Sequence, residues 1–255
     1  MNKKNYKVLC EEILNTWKDD ENAFREFNAM NFQTEFMPEP YYSVPVANEP
    51  RNGAKTLYVL NNNPGGGMEF QKREEIHKLY KNDSYAAISE KLYKEHYEKL
   101  AGAPGGRLNR MRQFADKCGF DRIEDIESFF LHSKDLNKNS FLSKAKDSVV
   151  VKEYTQALTD YLKDKPVLSV NAISSNESIS KQLVQNSPWL SRIAEIISLD
   201  IQKAKMFELT TKDKKVTSAA IIADKKVMIF KMGSNNIPNI PENITEELIA
   251  IMQKA

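Results

Sequence analysis

Residues 57–67 read LYVLNNNPGGG, an apolar run that ends abruptly in three asparagines, a proline and three glycines. Residues 55–60, KTLYVL, are typical of a buried strand, because they are apolar and β-prone and are bounded by turn-forming residues. Three further apolar runs also end in polar residues: IESFFLHS (126–133), KPVLSVNAISSN (165–176) and KVMIFKMGSNN (226–236). The four runs predict four strands, each ending in a cluster of Asn, Ser, His or Gly.

Helix-forming segments alternate with these strands. They cover residues 4–29, 68–101, 107–118, about 149–164, 177–203 and 241–255. Two more strands are predicted within 203–209 and 216–223, and the proline-rich segment 36–54 predicts an extended loop rather than a helix. This alternation predicts an α/β fold with a mostly parallel central sheet and helices on both of its faces.

The composition is ordinary for a globular protein. The chain has 255 residues, of which 41% are hydrophobic; this is enough for one large domain or two small ones, and we expect a single domain over 1–255. A net charge of +2 indicates no particular partner. Cys10 and Cys118 show no metal-binding spacing, which favours a reducing, cytoplasmic environment. We expect neither a secretory signal nor a membrane helix, since no apolar run approaches roughly 20 residues.

The polar tips of parallel strands meet at one edge of a sheet, where α/β proteins bind their ligands. The tips comprise Asn61 to Gly67, His132 and Ser133, Asn171 with Ser174 to Asn176, and Gly233 to Asn236. We expect them to form a ligand site, because buried polar loops need hydrogen-bond partners or a ligand. The alternative is that they are turn-forming residues without a further role.

Several catalytic motifs are absent from the sequence. Gly65, Gly66 and Gly67 are not followed by Lys and Ser or Thr, so they do not form a P-loop, and no GxGxxG motif indicates a dinucleotide. His132 and Ser133 are neighbours on a predicted strand and point to opposite faces, so they do not readily pair in a Ser–His–Asp triad. No HExxH motif or suitably spaced carboxylate cluster indicates a metal. We therefore expect neither a metal nor a cofactor.

Basic and aromatic residues lie near the predicted edge. Lys134 and Lys138 follow a strand tip, and Arg107 follows a glycine-rich break; such side chains can hold phosphates without reading sequence. Tyr42 and Phe70 can stack on a base. The alternatives are a solvated surface for the basic residues and ordinary packing for the aromatic ones.

Three phrases carry a resemblance to a known family. LYVLNNNPGGG resembles the first motif of the uracil-DNA glycosylase superfamily, in the Asn-Pro-Gly form of the thymine-DNA and single-strand-selective uracil glycosylases. MPEPYYS (37–43) and FFLHSKD (129–135) resemble phrases of a bacterial branch of uncharacterised glycosylase-like proteins. KMGSNN (231–236) falls where the second catalytic motif of the superfamily lies. The resemblance covers roughly 36–240 as a glycosylase-like core, with a helical segment over 1–35 before it and a helix over 241–255 after it.

The resemblance implies a three-layer α/β/α fold and hydrolysis of the N-glycosidic bond of a flipped, modified DNA base. Asn63 aligns with the residue that positions the attacking water, and Asn62 is the substitute if the alignment shifts by one residue. His132 takes the place of the Asn that reads the base edge, although a satisfied core histidine is the alternative. The residues that we expect to contact the substrate are Tyr42, Pro64, Gly65, Gly66, Phe70, Ser133, Ser234, Asn235 and Asn236.

Two other functions stay open on the sequence alone. The second motif keeps only its outline in Met232, Gly233 and Ser234 and lacks a histidine, which favours a catalytically inactive nucleic-acid or nucleotide-binding protein on the same fold. The near-neutral charge favours an enzyme that acts on a free nucleoside or nucleotide. A pocket for one base beside a positively charged channel would indicate base excision instead. We expect a monomer, and the sequence names neither the base nor the kind of nucleic acid.

Overall fold

The computed structural model describes most of the chain, with gaps. The described residues are 4–46, 55–62, 64, 73–93, 107–133, 140–173, 181–210, 216–223, 225–232, 246 and 249–252. The strands are β1 (Phe32–Gln33), β2 (Tyr41–Pro45), β3 (Thr56–Asn61), β4 (Arg122–Glu127), β5 (His132–Ser133), β6 (Val167–Ile173), β7 (Lys205–Thr210), β8 (Val216–Ala223) and β9 (Lys226–Met232). The α-helices are α1 (Tyr6–Asp19), α2 (Arg73–Tyr80), α3 (Tyr85–Leu92), α4 (Arg107–Lys117), α5 (Ser140–Ala145), α6 (Val149–Leu162), α7 (Lys181–Asn186) and α8 (Pro188–Ile196), and a 3-10 helix spans Arg25–Met30.

The central sheet has seven strands in the order β2-β4-β3-β6-β9-β8-β7. Its four central strands, β4, β3, β6 and β9, run parallel to their neighbours in that group. The strands outside them, β2 on one side and β8 and β7 on the other, are antiparallel. Three of these parallel strands, β3, β6 and β9, lie in segments in which the sequence predicts a strand with a polar tip. The predicted α/β class is confirmed, and the sheet is a mixed one with a parallel centre.

Two predictions about the strands are wrong. The strand expected within 126–133 lies earlier, since β4 consists of RIEDIE, and the apolar residues Phe129 and Phe130 follow it as irregular buried backbone. The segment 36–54, expected to be a loop, contains β2. This strand lies at the edge of the sheet, where proline is tolerated because one side of the backbone needs no partner. Pro45 occupies its last position.

Helices cover both faces of β4. Glu124 accepts a hydrogen bond from Tyr161 of α6, whereas its neighbour Asp125 pairs with Arg107 of α4. Successive side chains of a strand point to opposite faces, so α6 and α4 lie on opposite sides of the sheet. Helix α1 packs against α6 on the first of these sides. The N-cap of α1 is Asn5, whose side chain accepts a hydrogen bond from the Lys7 amide and so satisfies one of the free N–H groups of the first turn.

A cluster of phenylalanines anchors the segment that follows β4. The Phe129 ring stacks on Phe32 at 4.3 Å between centroids and on Phe130 at 5.2 Å, and Phe27 meets it edge-on. Offset stacking and edge-to-face contacts of this kind add to the hydrophobic gain from burial. The cluster therefore fixes the path of residues 128–133, which explains why an apolar run that resembles a strand in sequence is used for packing instead.

The predicted helical segments are mostly present but divided. Residues 68–101 contain α2 and α3, between which Ser84 caps α3 through a hydrogen bond from the Ala87 amide. Residues 177–203 contain α7 and α8, and near the end of the chain residues 249–252 are helical. Of the helices that the structure describes, none combines the length and the apolar character that crossing a lipid bilayer requires. Both cysteines are buried free thiols.

We predict that Phe129→Ala lowers the free energy of unfolding by about 3 kcal/mol, because it removes a fully buried ring from a packed cluster. Urea unfolding followed by circular dichroism measures the change. Leu79→Ala is the control, since Leu79 is 66% exposed, and it should change stability by less than about 0.5 kcal/mol. Equal effects of the two substitutions would contradict the packing role of Phe129.

Candidate functional site

The carboxyl ends of β3 and β4 lie side by side, and their pairing continues beyond the strands. Asn61 is the register partner of Glu127. The Ser128 amide donates to the Asn61 carbonyl at 2.9 Å and the Phe129 amide donates to the Asn62 carbonyl at 3.0 Å. The backbone of the two tips is therefore held rigidly at the edge where α/β sheets bind ligands.

An ion pair between Arg107 and Asp125 lies next to the ends of β3 and β4. The Arg107 guanidinium binds both carboxylate oxygens of Asp125 at 2.9 Å and also donates to Asn61 Oδ1 at 2.5 Å. The Asn61 amide nitrogen in turn donates to Asp125 Oδ1 at 2.6 Å. Such two-pronged guanidinium–carboxylate contacts fix orientation as well as charge. Arg107, expected to contact phosphates, is thus engaged within the protein, and its role toward nucleic acid stays a prediction.

Glu127 lies in an unusual electrostatic position at the end of β4. Its Oε1 is 3.4 Å from the Asn61 amide nitrogen, whereas its Oε2 is buried and has no hydrogen-bond partner among the described residues. Burial raises the pKa of Glu127 well above its usual value, and the nearby Asp125 and Glu39 carboxylates raise it further, against the opposing effect of Arg107. The raised pKa means that Glu127 stays protonated to higher pH than an exposed glutamate does.

Asn62 lies one residue beyond β3. Hydrogen bonds hold its backbone carbonyl, whereas its side-chain oxygen has no donor among the described residues. Its carbonyl accepts from the Ser128 hydroxyl at 2.5 Å as well as from the Phe129 amide. Its side-chain oxygen, Oδ1, is buried and accepts no hydrogen bond from the described residues. A buried amide oxygen without a donor is costly, so a donor such as a water molecule would stabilise this atom.

His132 lies in a separate two-stranded ribbon rather than at the tip of a parallel strand. Its strand β5 pairs with β1, and His132 is opposite Gln33. The ring is almost fully buried, with Nε2 at 3.1 Å from the Met37 carbonyl and 3.5 Å from Glu39 Oε1. These contacts tie the imidazole to the segment before β2. Its predicted contact with a base edge stays a prediction.

Three other predicted substrate contacts lie within the described part of the chain. Tyr42 is the register partner of Asp125, which places it on the face of the sheet that carries Glu127. Ser133 is buried, and its amide donates to the carbonyl of Pro64 at 3.3 Å. This hydrogen bond joins the segment after β4 to the Asn-Pro-Gly segment, so two of the predicted phrases meet in space.

The other predicted site residues lie outside the described residues, and their roles stay predictions. They are Asn63, Gly65, Gly66, Phe70, Lys134, Lys138, Ser234, Asn235 and Asn236.

The acidic groups of this edge are not among the predicted site residues. Asp125 and Glu127 occupy alternate positions of β4, and Glu39 is fully buried within the MPEPYYS phrase. RIEDIE has only two apolar residues, Ile123 and Ile126, and they are three positions apart, so its sequence shows neither a buried run nor a strand-like alternation. Within the described ranges, no group of three or more His, Cys, Asp and Glu side chains is arranged to hold a metal ion.

A cavity of about 530 Å³ is lined, among the described residues, by Glu21, Arg25, Asn28, Thr34, Glu35, Glu74 and Glu75. These described residues supply four carboxylates and one guanidinium, a balance that disfavours phosphates.

Comparison of the chain with models of protein families, with curated proteins and with solved structures finds no match in any of the three. The geometry of the strand tips and the motif resemblance are therefore the features of the chain that bear on its function.

We predict that Arg107→Met lowers the free energy of unfolding by about 1–3 kcal/mol, because it leaves Asp125 without its cation. The side chains are 29% and 14% exposed, which keeps the effect below that of a fully buried pair. In an Asp125→Asn background the same substitution should cost much less, and urea unfolding of the four proteins gives the coupling. Arg122→Met, on the exposed start of β4, is the control. A coupling near zero would contradict the ion pair.

We also predict a pH-dependent effect of Glu127→Gln. The unfolded chain ionises Glu127 near pH 4.5, while the folded protein keeps it protonated to higher pH. As the pH rises through that window, ionisation favours the unfolded wild type, on the order of 1 kcal/mol for each pH unit. Gln cannot ionise, so the variant should gain stability relative to wild type as the pH rises above 4.5. Urea unfolding across this range, with the exposed Glu195→Gln as control, measures it, and a constant difference would contradict the shift.

Proposed function

We propose that the chain is a glycosylase-like protein with a three-layer α/β/α core over 36–240. It hydrolyses the N-glycosidic bond of a flipped, modified DNA base. The observation that carries this proposal is the Asn62 side-chain oxygen, which is buried at the carboxyl end of β3 and accepts no hydrogen bond from the described residues. The chemistry needs a fixed acceptor that orients one water molecule toward the sugar, and a carboxamide oxygen is such an acceptor.

The fixed backbone around Asn62 supports the role of a water-positioning group. Phe129 and Ser128 both donate to the Asn62 carbonyl, so the side chain is carried by a backbone that does not need to reorganise during reaction. Holding a reactant in place in this way contributes a large part of the rate enhancement of many enzymes. Asn63 is the residue that the motif alignment favours, and Asn62 is the one whose geometry is described.

The reaction at this edge has a simple balance. The oxygen of the water bonds to the anomeric carbon of the sugar, the carbon–nitrogen bond breaks, and its electron pair leaves with the base. One proton of the water is released and the base takes up a proton. A base in a duplex must first be extruded from the stack, so the site acts on a flipped or single-stranded nucleotide.

A second candidate is hydrolysis of a free nucleoside or nucleotide. The observation that favours it is the engagement of Arg107 by Asp125 and Asn61, because this side chain was one of the three expected to bind the DNA backbone. Lys134 and Lys138 are the other two. A free nucleoside needs the base pocket and the water but no row of phosphate contacts.

The test is an assay for base release. Single- and double-stranded oligonucleotides that carry uracil, hypoxanthine, xanthine or oxidised pyrimidines are incubated with the protein and then treated with alkali. Free nucleosides are assayed in parallel by chromatography. We expect release of one base, and a loss of at least about 100-fold in Asn62→Ala or Asn63→Ala, since positioned catalytic groups typically contribute that much.

Asn186→Ala, at an exposed position at the end of α7, is the matched control and should keep full activity. Release that survives both Asn62→Ala and Asn63→Ala would contradict the assignment of the water-positioning group. A folded protein that releases no base from any substrate would contradict the glycosylase and favour the inactive binding protein.

A further inference from the structure

Glu127 has a buried oxygen, Oε2, without a hydrogen-bond partner among the described residues, at the edge that also carries Asn62. Glu127 directly precedes Ser128, whose hydroxyl donates to the Asn62 carbonyl, so the two groups belong to adjacent, hydrogen-bonded tips. We propose that Glu127 is the general acid of the site and donates the proton on Oε2 to the leaving base. This inference rests on the proposed N-glycosidic hydrolysis and adds a catalytic residue to it.

The hydrogen bonds distinguish the two oxygens of Glu127. Oε1 lies 3.4 Å from the Asn61 amide nitrogen, which also contacts Asp125 Oδ1 at 2.6 Å and the Ile126 carbonyl at 3.2 Å. Oε2 is buried and has no hydrogen-bond partner within the described ranges. We place the proton on Oε2, where a base with an acceptor atom beside it would complete the hydrogen bonding of the carboxyl group.

The groups around Glu127 hold it in the acid form. From β4 the Asp125 carboxylate and from the segment before β2 the Glu39 carboxylate disfavour a further negative charge. Arg107 of α4 opposes them, but its guanidinium is shared with Asp125 and Asn61. From α6, the Tyr154 hydroxyl donates to the Glu127 carbonyl at 2.7 Å, and from α8 Arg192 donates to the next carbonyl, that of Ser128. Both of these donate to backbone carbonyls and not to the carboxyl group of Glu127.

The proton transfer balances the hydrolysis. As the bond between sugar and base breaks, the electron pair moves into the base, and a ring nitrogen or carbonyl oxygen of the base takes the Oε2 proton. Glu127 becomes a carboxylate, and the proton released by the attacking water restores the acid before the next turnover. An acid helps most when the leaving base has a basic atom that can accept the proton as the bond breaks. The inference therefore points to purine-type bases with a basic ring nitrogen, such as hypoxanthine, rather than to uracil.

The first experiment measures the proton directly and does not depend on activity. Protein labelled with carbon-13 at the glutamate carboxyl carbons is titrated by NMR, and the Glu127 signal is assigned as the one that Glu127→Gln removes. We expect this signal to remain that of a carboxylic acid near pH 6, where exposed glutamates are ionised. A Glu127 signal that is already ionised at that pH overturns the inference.

The second experiment is the pH dependence of base release from hypoxanthine- and uracil-containing substrates. Wild-type activity on hypoxanthine should fall as the pH rises through the Glu127 pKa. Glu127→Gln should be slower by at least about 100-fold and lack this fall, because an amide cannot deliver a proton. Glu124→Gln is the control, since Glu124 lies on the same strand but binds Lys7 and Tyr161 on the opposite face. It should keep the wild-type pH profile.

The outcomes separate this inference from the function on which it rests. If wild type releases a base and Glu127→Gln does so at the same rate with the same pH profile, only the role of Glu127 is overturned. If folded wild type releases no base from any substrate, the proposed hydrolysis is overturned and the general-acid role falls with it. Circular dichroism of each variant confirms that a lost activity does not reflect a lost fold.

Discussion

The backbone pairing of β3 with β4 runs past the last residue of each strand, and the polar groups of the edge take their positions from it. Ser128 and Phe129 donate to the carbonyls of Asn61 and Asn62. These hydrogen bonds keep the two tips paired beyond the ends of the strands. The phenylalanines after β4 keep this extension in place by packing. An irregular buried segment is stable here because its amides find partners on the neighbouring tip.

The same edge concentrates negative charge that the protein only partly neutralises. Asp125 is paired with the guanidinium of Arg107, whereas burial and the nearby carboxylates raise the pKa of Glu127 well above its usual value. Protonation is the usual response of a carboxyl group that cannot be paired or solvated. Groups with strongly shifted pKa values are frequent at functional sites. This environment of Glu127 is the basis of the proposed general-acid role.

The sequence predicts the strands that are buried on both faces, and it fails for the strand that has a polar face. The apolar runs of β3, β6 and β9 were recognisable because a parallel strand covered on both faces has few polar positions. β4 was misplaced, because its charged residues resemble an exposed segment while the apolar Phe129 and Phe130 nearby resemble a strand. Among the site residues, Asn62 lies in a recognisable sequence motif, whereas Glu127 does not. Its significance comes from neighbours 20 to 88 residues away in the chain, Arg107 and Glu39, which no local pattern joins to it.

The strand order has a consequence for how the chain reaches this structure. β7, β8 and β9 are consecutive antiparallel neighbours within residues 205–232, whereas β3 pairs with a strand whose residues lie 66 positions further along, as Asn61 does with Glu127. Contacts that close short loops form sooner than those that close long ones. The C-terminal meander can therefore assemble early, while the paired tips of β3 and β4 form only when the two ends of a long intervening segment meet. On this view the polar edge is among the last parts of the sheet to acquire its native geometry during folding.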